Sequence, residues 1–131
     1  MSVTPGLKGE ASAAVSPANT ARAMGSGTLE VFATPAMAAL MEQAACTSLL
    51  PFLAPGQSSV GTGLTLSHLS ATPVGLTVRA ESEVTAVEGR TVTFRVAAYD
   101  DAGLIGQGTH QRAIVDEERF LSRAARKKEG L

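Results

Sequence analysis

One carboxylate stands alone in a long uncharged stretch of the sequence. The stretch from 31 to 78 holds 48 residues, and Glu42 is its only Asp, Glu, Lys or Arg, although 18% of the whole chain is charged. So few charges are typical of an interior or an interface, where a carboxylate is costly unless it is paired or has a function. Glu42 is therefore a candidate acid, base or nucleophile. The alternative is that it bonds to backbone groups or reaches solvent at a helix edge.

An imidazole is expected to point toward the same region. His68 continues the apolar face formed by Leu64 and Leu66, so its ring should face the gap between helix and sheet. A carboxylate and an imidazole facing one gap are the pair that general acid–base catalysis uses. A lone histidine on an apolar face is more often a core residue, so both interpretations stay open. The other histidine, His110, lies beside Arg112 and is expected to be exposed.

A threonine and a glycine complete the candidate set. Thr34 precedes Pro35 and is expected to be the N-cap of a helix, yet it lies eight residues before Glu42, so both could share one side of that helix. Gly61 lies in a Gly-Thr-Gly run, where its N–H could donate to an oxyanion. The alternative for Gly61 is an ordinary bulge. The sequence contains no Walker loop, nucleophile elbow or zinc helix motif.

The elements that position these residues follow from periodicity and breakers. A nearly all-apolar helix over 35–50 ends at Pro51 and is expected to be buried. Gly106 and Gly108 predict a bulge or a close backbone approach. A charged C-terminal helix over 116–128 is expected to fray at its end. Period-two alternation predicts strands over 8–15, 58–71, 76–87, 91–99 and 104–115.

This order predicts an α+β fold, in which one long central helix is wrapped by a curved antiparallel sheet. The 131 residues are expected to form a single domain over 1–131, with its core at about 8–116 and a charged tail at 117–131. Such a layout leaves sheet edges and one apolar helix flank uncovered. Dimerisation is the simplest way to cover them.

Composition excludes several classes of function. A net charge of −1 argues against nucleic-acid binding, and 4% aromatic residues argue against base-stacking platforms. The single Cys46 excludes an internal disulfide and a Cys-rich zinc site. The sequence has no signal-peptide pattern and no membrane-length apolar run, so we expect a cytoplasmic protein without a membrane partner.

Several short motifs, in order, resemble the fluoroacetyl-CoA thioesterase family of hotdog-fold proteins over roughly residues 8 to 120. The motifs lie at 31–35, 40–42, 60–62, 68, 71–75, 88–90 and 105–112. The resemblance implies a hotdog fold built as a homodimer or a dimer of dimers, which hydrolyses acyl-CoA thioesters at the dimer interface. It assigns catalysis to Thr34, Glu42 and His68, with the Gly61 N–H contacting the substrate carbonyl.

The same resemblance implies no metal and no organic cofactor, since coenzyme A enters as part of the substrate. The CoA phosphates need cations, and Arg79, Arg95 and Arg112 are the nearest candidates. The fluoroacetate-specialised enzyme has a lid phenylalanine six residues before its threonine, where this sequence has Thr28. We therefore expect a small or medium acyl-CoA rather than fluoroacetyl-CoA.

Two other functions are compatible with such a fold. A non-catalytic acyl-CoA-binding subunit would keep the dimer, but it would have no need of the threonine, glutamate and histidine together. An acyl-CoA hydratase or dehydratase would need an Asp/His pair at a different spacing, which the sequence lacks.

Overall fold

The computed structural model describes residues 2–130, which form five strands, three α-helices and three short 3-10 helices. Every predicted strand is confirmed, with ends displaced by no more than three residues. The C-terminal helix is shorter than predicted and continues as a 3-10 turn over Arg126–Glu129. The elements are β1 (Lys8–Ala14), α1 (Ala21–Met24), α2 (Thr34–Leu49), β2 (Gln57–His68), β3 (Thr77–Glu88), β4 (Thr91–Asp100), β5 (Gly103–Asp116) and α3 (Glu117–Ala125).

The strands form one antiparallel sheet in the order β1-β3-β4-β5-β2, so β2 lies at an edge. One face of the sheet packs against α2. Buried residues therefore alternate with more exposed ones along β3 and β4, since successive side chains of a strand point to opposite faces. The α+β layout of one long helix against an antiparallel sheet, predicted as a hotdog fold, is confirmed. Its core contains Phe32, Met37, Leu40, Met41, Leu49, Val78, Val84, Val92, Phe94, Val96 and Ile105.

Glycines allow the close packing that this layout needs. A Cβ on Gly9 would lie 2.8 Å from the Ser48 Cβ, so α2 reaches β1 only because Gly9 has no side chain. A Cβ on Gly106 would lie 2.5 Å from the Met37 Cε. The predicted close approach at Gly106 is confirmed. The bulge lies one residue earlier, because Ile105 has no partner on β4: Gly106 pairs with Ala98 and Leu104 pairs with Tyr99.

The strand register is also interrupted beside the candidate site. The pairing of β2 with β5 shifts between Gly61 and Gly63, which leaves Thr62 as the extra residue of a bulge.

Within residues 2–130, no helix is both long and apolar enough to cross a membrane.

Candidate active site

A threonine and a histidine meet where α2 begins and β2 ends. The Thr34 Oγ1 lies 2.7 Å from the His68 Nδ1, which is a hydrogen bond between the first residue of the helix and the last residue of the strand. The other ring nitrogen of His68, Nε2, is buried, and no polar atom of residues 2–130 bonds to it. A hydroxyl held by an imidazole can pass a proton to a reacting group or take one from it.

The expectation that Thr34 is the N-cap of the helix is wrong. The N-cap is Ala33, which offers no side-chain hydrogen bond, and Thr34 is the first helical residue. The reason is that the Met37 N–H donates to the Ala33 carbonyl at 3.0 Å, which starts the helix one residue earlier and leaves the Thr34 hydroxyl to bond with His68. The threonine is therefore free of the structural role that a cap would give it.

Backbone bonds hold this pair in place. The Leu69 N–H donates to the Ile105 carbonyl at 2.7 Å, and the Phe32 N–H donates to the Thr72 carbonyl at 2.8 Å. The buried Thr72 hydroxyl in turn donates to the Asp100 carboxylate at 2.7 Å. That hydrogen bond lowers the pKa of Asp100 below its ordinary value. The segments before α2 and after β2 are thus tied to each other and to the end of β4.

A cavity of about 320 Å³ opens beside the pair. Its wall combines the hydroxyl and the imidazole with mostly small or apolar side chains, so an acyl group would meet apolar surface there. The lining residues are Ala21, Ser26, Val31, Phe32, Thr34, His68, Leu69, Ser70 and Ala71.

Glu42 lies in a second cluster, against Gly61 and Arg112. A Cβ built on Gly61 would lie 2.5 Å from the Glu42 Oε2, so the carboxylate rests on the glycine backbone. The Arg112 Nη1 lies 3.7 Å from the same oxygen, with the arginine side chain 7% exposed and the glutamate side chain 44% exposed. The expectation that Glu42 is an unpaired carboxylate in the interior is therefore wrong for the single chain. Its side chain is half-exposed, and the guanidinium of Arg112 lies next to it.

His110 belongs to this second cluster, and the expectation that it is exposed is wrong. Its residue is 1% exposed, its Nδ1 lies 2.7 Å from the Gly63 carbonyl oxygen, and its ring stacks on Phe94. The reason is the strand register, which turns His110 and Arg112 toward the inner face of β5 beside the β2 bulge. Period-two alternation along β5 is the sequence pattern that could have predicted a buried His110.

One chain does not bring the four predicted catalytic residues into a single cluster. Thr34 and Glu42 are separated by eight residues of α2, which is roughly 12 Å along a helix at 1.5 Å per residue. Gly61 and His68 are separated by seven residues of β2, which is roughly 23 Å along a strand at 3.3 Å per residue. The pairs that do meet are Thr34 with His68 and Glu42 with Gly61.

The three arginines suggested for the CoA phosphates lie in different surroundings. Arg79 pairs with Glu81 at 2.7 Å, and Arg95 pairs with Glu83 at 3.1 Å, both on the sheet face away from α2. Arg112 differs from both, because its guanidinium is buried and donates to the Ser59 hydroxyl and carbonyl at 2.9 and 3.0 Å. The roles of all three arginines in phosphate binding stay predictions.

Within the described residues, no three His, Cys, Asp or Glu side chains come together in a way that could hold a metal ion.

Comparison with known proteins decides the family. The profile of the fluoroacetyl-CoA-specific thioesterase (FlK) family matches residues 15–118. The chain belongs to this family. A fluoroacetyl-CoA thioesterase from Streptantibioticus cattleyicolor is 45% identical to it over 98 residues, which cover 75% of this chain and 70% of that protein.

Solved structures agree with this assignment to the FlK family. A fluoroacetyl-CoA thioesterase FlK structure is 37% identical with a TM-score of 0.92, covering 97% of this chain and 98% of that one. A threonine-to-serine FlK mutant in complex with acetyl-CoA is also 37% identical, with a TM-score of 0.91 over 95% of this chain and 98% of that chain. A thioesterase superfamily member from Thermus thermophilus is 31% identical, with a TM-score of 0.90 over 97% of this chain and 94% of that one.

The contact between Glu42 and Gly61 gives a first prediction. Gly61→Ala places a methyl group where the carboxylate now lies, since the Cβ would be 2.5 Å from the Glu42 Oε2 and 3.3 Å from the His110 Cε1. We expect kcat for thioester hydrolysis to fall about 100-fold, the cost of misplacing a reacting group by about 1 Å. Gly63→Ala is the matched control, because its Cβ would meet only the end of the Gln111 side chain at 4.0 Å. Equal kcat values in the two variants would contradict this prediction.

Proposed function

We propose that this chain hydrolyses acyl-CoA thioesters to a free acid and coenzyme A. The observation that carries the proposal is the Glu42 carboxylate lying directly against Gly61 in a chain of the FlK family. Because Gly61 has no side chain, the carboxylate lies directly beside the backbone that could bind the thioester carbonyl oxygen. Relatives bound to acetyl-CoA, or to fluoroacetate and CoA, support coenzyme A as the carrier.

The reaction can run by two routes from the same carboxylate. In one route, Glu42 attacks the thioester carbonyl, the C–S bond breaks, and water then hydrolyses the resulting anhydride. In the other, Glu42 takes a proton from water as the water attacks the same carbonyl. Both routes release the CoA thiolate, which needs a proton, and both put negative charge on the carbonyl oxygen. The Gly61 N–H is proposed to stabilise that charge.

The Thr34–His68 pair is proposed to manage the proton and to orient the acyl group. Its hydroxyl and imidazole are already hydrogen-bonded at 2.7 Å, at the wall of the 320 Å³ cavity. His68 is proposed to supply the proton that the leaving CoA sulfur needs. The route uses only water and the chain's own residues, and CoA enters as part of the substrate.

We propose that a second copy of the chain completes the site. The edge strand β2 spans 12 residues without one Asp, Glu, Lys or Arg, whereas the opposite edge, β1, carries Lys8 and Glu10. An uncharged exposed edge pairs readily with another strand. Around a twofold axis, β2 would pair antiparallel with its copy, so the Gly61 end of one strand faces the His68 end of the other. Glu42 of one chain then joins the Thr34–His68 pair of its partner.

The cavity supports a proposal about the size of the acyl group. Its volume of about 320 Å³ suits a short or medium acyl chain, and its lining includes the segment around Ala21 to Val31. Thr28 lies in that segment and is exposed, so no aromatic side chain closes the opening from that position. We therefore propose small to medium acyl-CoA substrates without selection for fluorine. The cytoplasmic location expected from the sequence stays a prediction.

A panel of acyl-CoA esters, from acetyl to long-chain, tests the proposed function. Thioester loss is followed directly by ultraviolet absorbance, because thiol reagents would also react with Cys46. We expect kcat/KM to peak at a short or medium chain length, with fluoroacetyl-CoA and acetyl-CoA hydrolysed at similar rates. Binding of acyl-CoA without turnover anywhere in the panel would contradict the proposal and indicate a binding subunit.

A further inference from the structure

His110 is a buried titratable residue for which the proposed reaction has no role. It lies on β5, directly before Gln111 and Arg112, and only 1% of its surface is exposed. Its Cε1 would lie 3.3 Å from a Cβ on Gly61, so the ring borders the place where Glu42 meets the backbone. A buried imidazole this close to a reacting carboxylate needs an explanation of its own.

The partners of His110 fix which of its nitrogens carries the proton. Its Nδ1 lies 2.7 Å from the Gly63 carbonyl oxygen, which can only accept, so Nδ1 must donate. Its Nε2 lies 3.3 Å from the Arg112 Nη1, which can only donate, so Nε2 must accept. Both bonds exist together only in the neutral ring with its proton on Nδ1. If the ring of His110 gained a second proton, its Nε2–H would face an N–H of Arg112. Both side chains would then be positively charged and would repel each other.

The same arginine nitrogen also faces the reacting carboxylate. Arg112 Nη1 lies 3.3 Å from His110 and 3.7 Å from the Glu42 Oε2, while Nε and Nη2 bond to Ser59. The guanidinium is planar and rigid, so fixing three of its nitrogens fixes the direction in which Nη1 points. Meanwhile the bond to Gly63 holds the strand segment that carries Gly61. His110 therefore contacts both sides of the Glu42–Gly61 junction.

Burial and the surrounding charges favour the neutral ring. Burial lowers the pKa of His110 below its ordinary value of 6.5, and the Arg112 charge lowers it further. The Gly63 carbonyl and Glu42 act in the opposite direction. These are the groups that face the ring: Arg112 on its own strand, Glu42 from α2, the Gly63 carbonyl from β2 and the uncharged Phe94 from β4.

We propose that neutral His110 is a positioning residue, which holds Arg112 and the Gly63 carbonyl and so keeps the Glu42 carboxylate against Gly61. This rests on the proposed function, since the reaction gives the carboxylate its role. As the pH falls through the pKa of His110, below the ordinary imidazole range, the ring gains a proton, Arg112 loses its acceptor, and hydrolysis slows.

Two substitutions separate the two bonds of the ring. His110→Gln places an amide near the Nε2 position and can still accept from Arg112, whereas His110→Asn places one near Nδ1 and can still donate to Gly63. We expect kcat to fall about tenfold in His110→Asn and less than about threefold in His110→Gln, with KM changed by less than about twofold in both. As the pH is lowered from neutral through the pKa of His110, His110→Gln should keep a larger fraction of its activity than the wild type, because its amide cannot gain a proton.

A readout that needs no turnover separates this proposal from the proposed function. Nitrogen NMR of the imidazoles should show His110 as the neutral Nδ1–H tautomer at neutral pH, and the Glu42 carboxyl carbon signal should shift more in His110→Asn than in His110→Gln. If these shifts appear while no acyl-CoA is hydrolysed, the proposed function is wrong and the positioning contact stands. A cationic ring at neutral pH would overturn the proposal. So would equal losses of kcat and of thermal stability in both variants, which would indicate a purely structural histidine.

Discussion

Replacing Glu42 with glutamine is expected to lower kcat for acyl-CoA hydrolysis by about 1,000-fold, within the range that a missing general base or nucleophile costs. The amide has nearly the same shape, so it still fits against Gly61, but it can neither attack a carbonyl nor take a proton from water. Substrate contacts are otherwise unchanged, and KM should therefore change far less than kcat. The measurement is thioester loss at saturating substrate, with thermal unfolding to confirm that the variant is folded.

Glu83→Gln is the matched control for this substitution. Glu83 is also partly exposed and also lies near an arginine, Arg95, at 3.1 Å, with 36% of its side chain exposed against 44% for Glu42. Removing the charge of an exposed ion pair costs little stability, and we expect kcat within about twofold of the wild type. If both variants kept wild-type activity, Glu42 would be only a neighbour of Arg112, and the proposed chemistry would be wrong.

Much of the fold and part of the site could be predicted from local patterns. The uncharged stretch around Glu42 marked this carboxylate as a candidate, because charge is rare where a chain is buried or forms an interface, and the structure places it against Gly61. Period-two alternation placed His68 on an inward face, and the apolar run before Pro51 predicted α2 to within one residue at each end. These signals are local in sequence, and local patterns are what periodicity can detect.

Contacts between distant segments could not be predicted in this way. Thr34 has the usual features of an N-cap, yet its hydroxyl bonds to His68, which lies 34 positions later in the chain. His110 next to an arginine suggested an exposed strand, but its partner Gly63 lies 47 positions earlier. Both outcomes depend on the register of β2 with β5, and a bulge at Thr62 shifts that register. A bulge changes which side chains face inward without a clear mark in the sequence.

The separation of the site into two clusters was also hidden in the sequence. Eight residues along a helix suggested that Thr34 and Glu42 could share a side, and the structure places them roughly 12 Å apart along α2 at 1.5 Å per residue. At that distance, the side chains of Thr34 and Glu42 of one chain cannot both contact the same thioester group. The proposed antiparallel pairing of β2 with a second copy would resolve this, because it would set unlike ends of the two chains side by side.

Mixing two inactive variants tests this composite site most directly. The chains carrying Thr34→Ala and Glu42→Gln, each with a different affinity tag, are co-expressed, and the dimer that holds one of each is purified. If Glu42 of one chain works with Thr34 of the other, that dimer contains one site with both residues intact and one with both replaced. It should recover about half of the wild-type activity per dimer, since a twofold dimer has two equivalent sites.

The matched control pairs Thr34→Ala with His68→Ala. Both residues lie in the same cluster of one chain, so every site of that mixed dimer lacks one of them, and it should stay as inactive as its parents. Recovery in the first mixture and none in the control is the result that we predict. A mixed Thr34→Ala and Glu42→Gln dimer that stays inactive, or a chain that remains monomeric while hydrolysing acyl-CoA, would contradict the composite site.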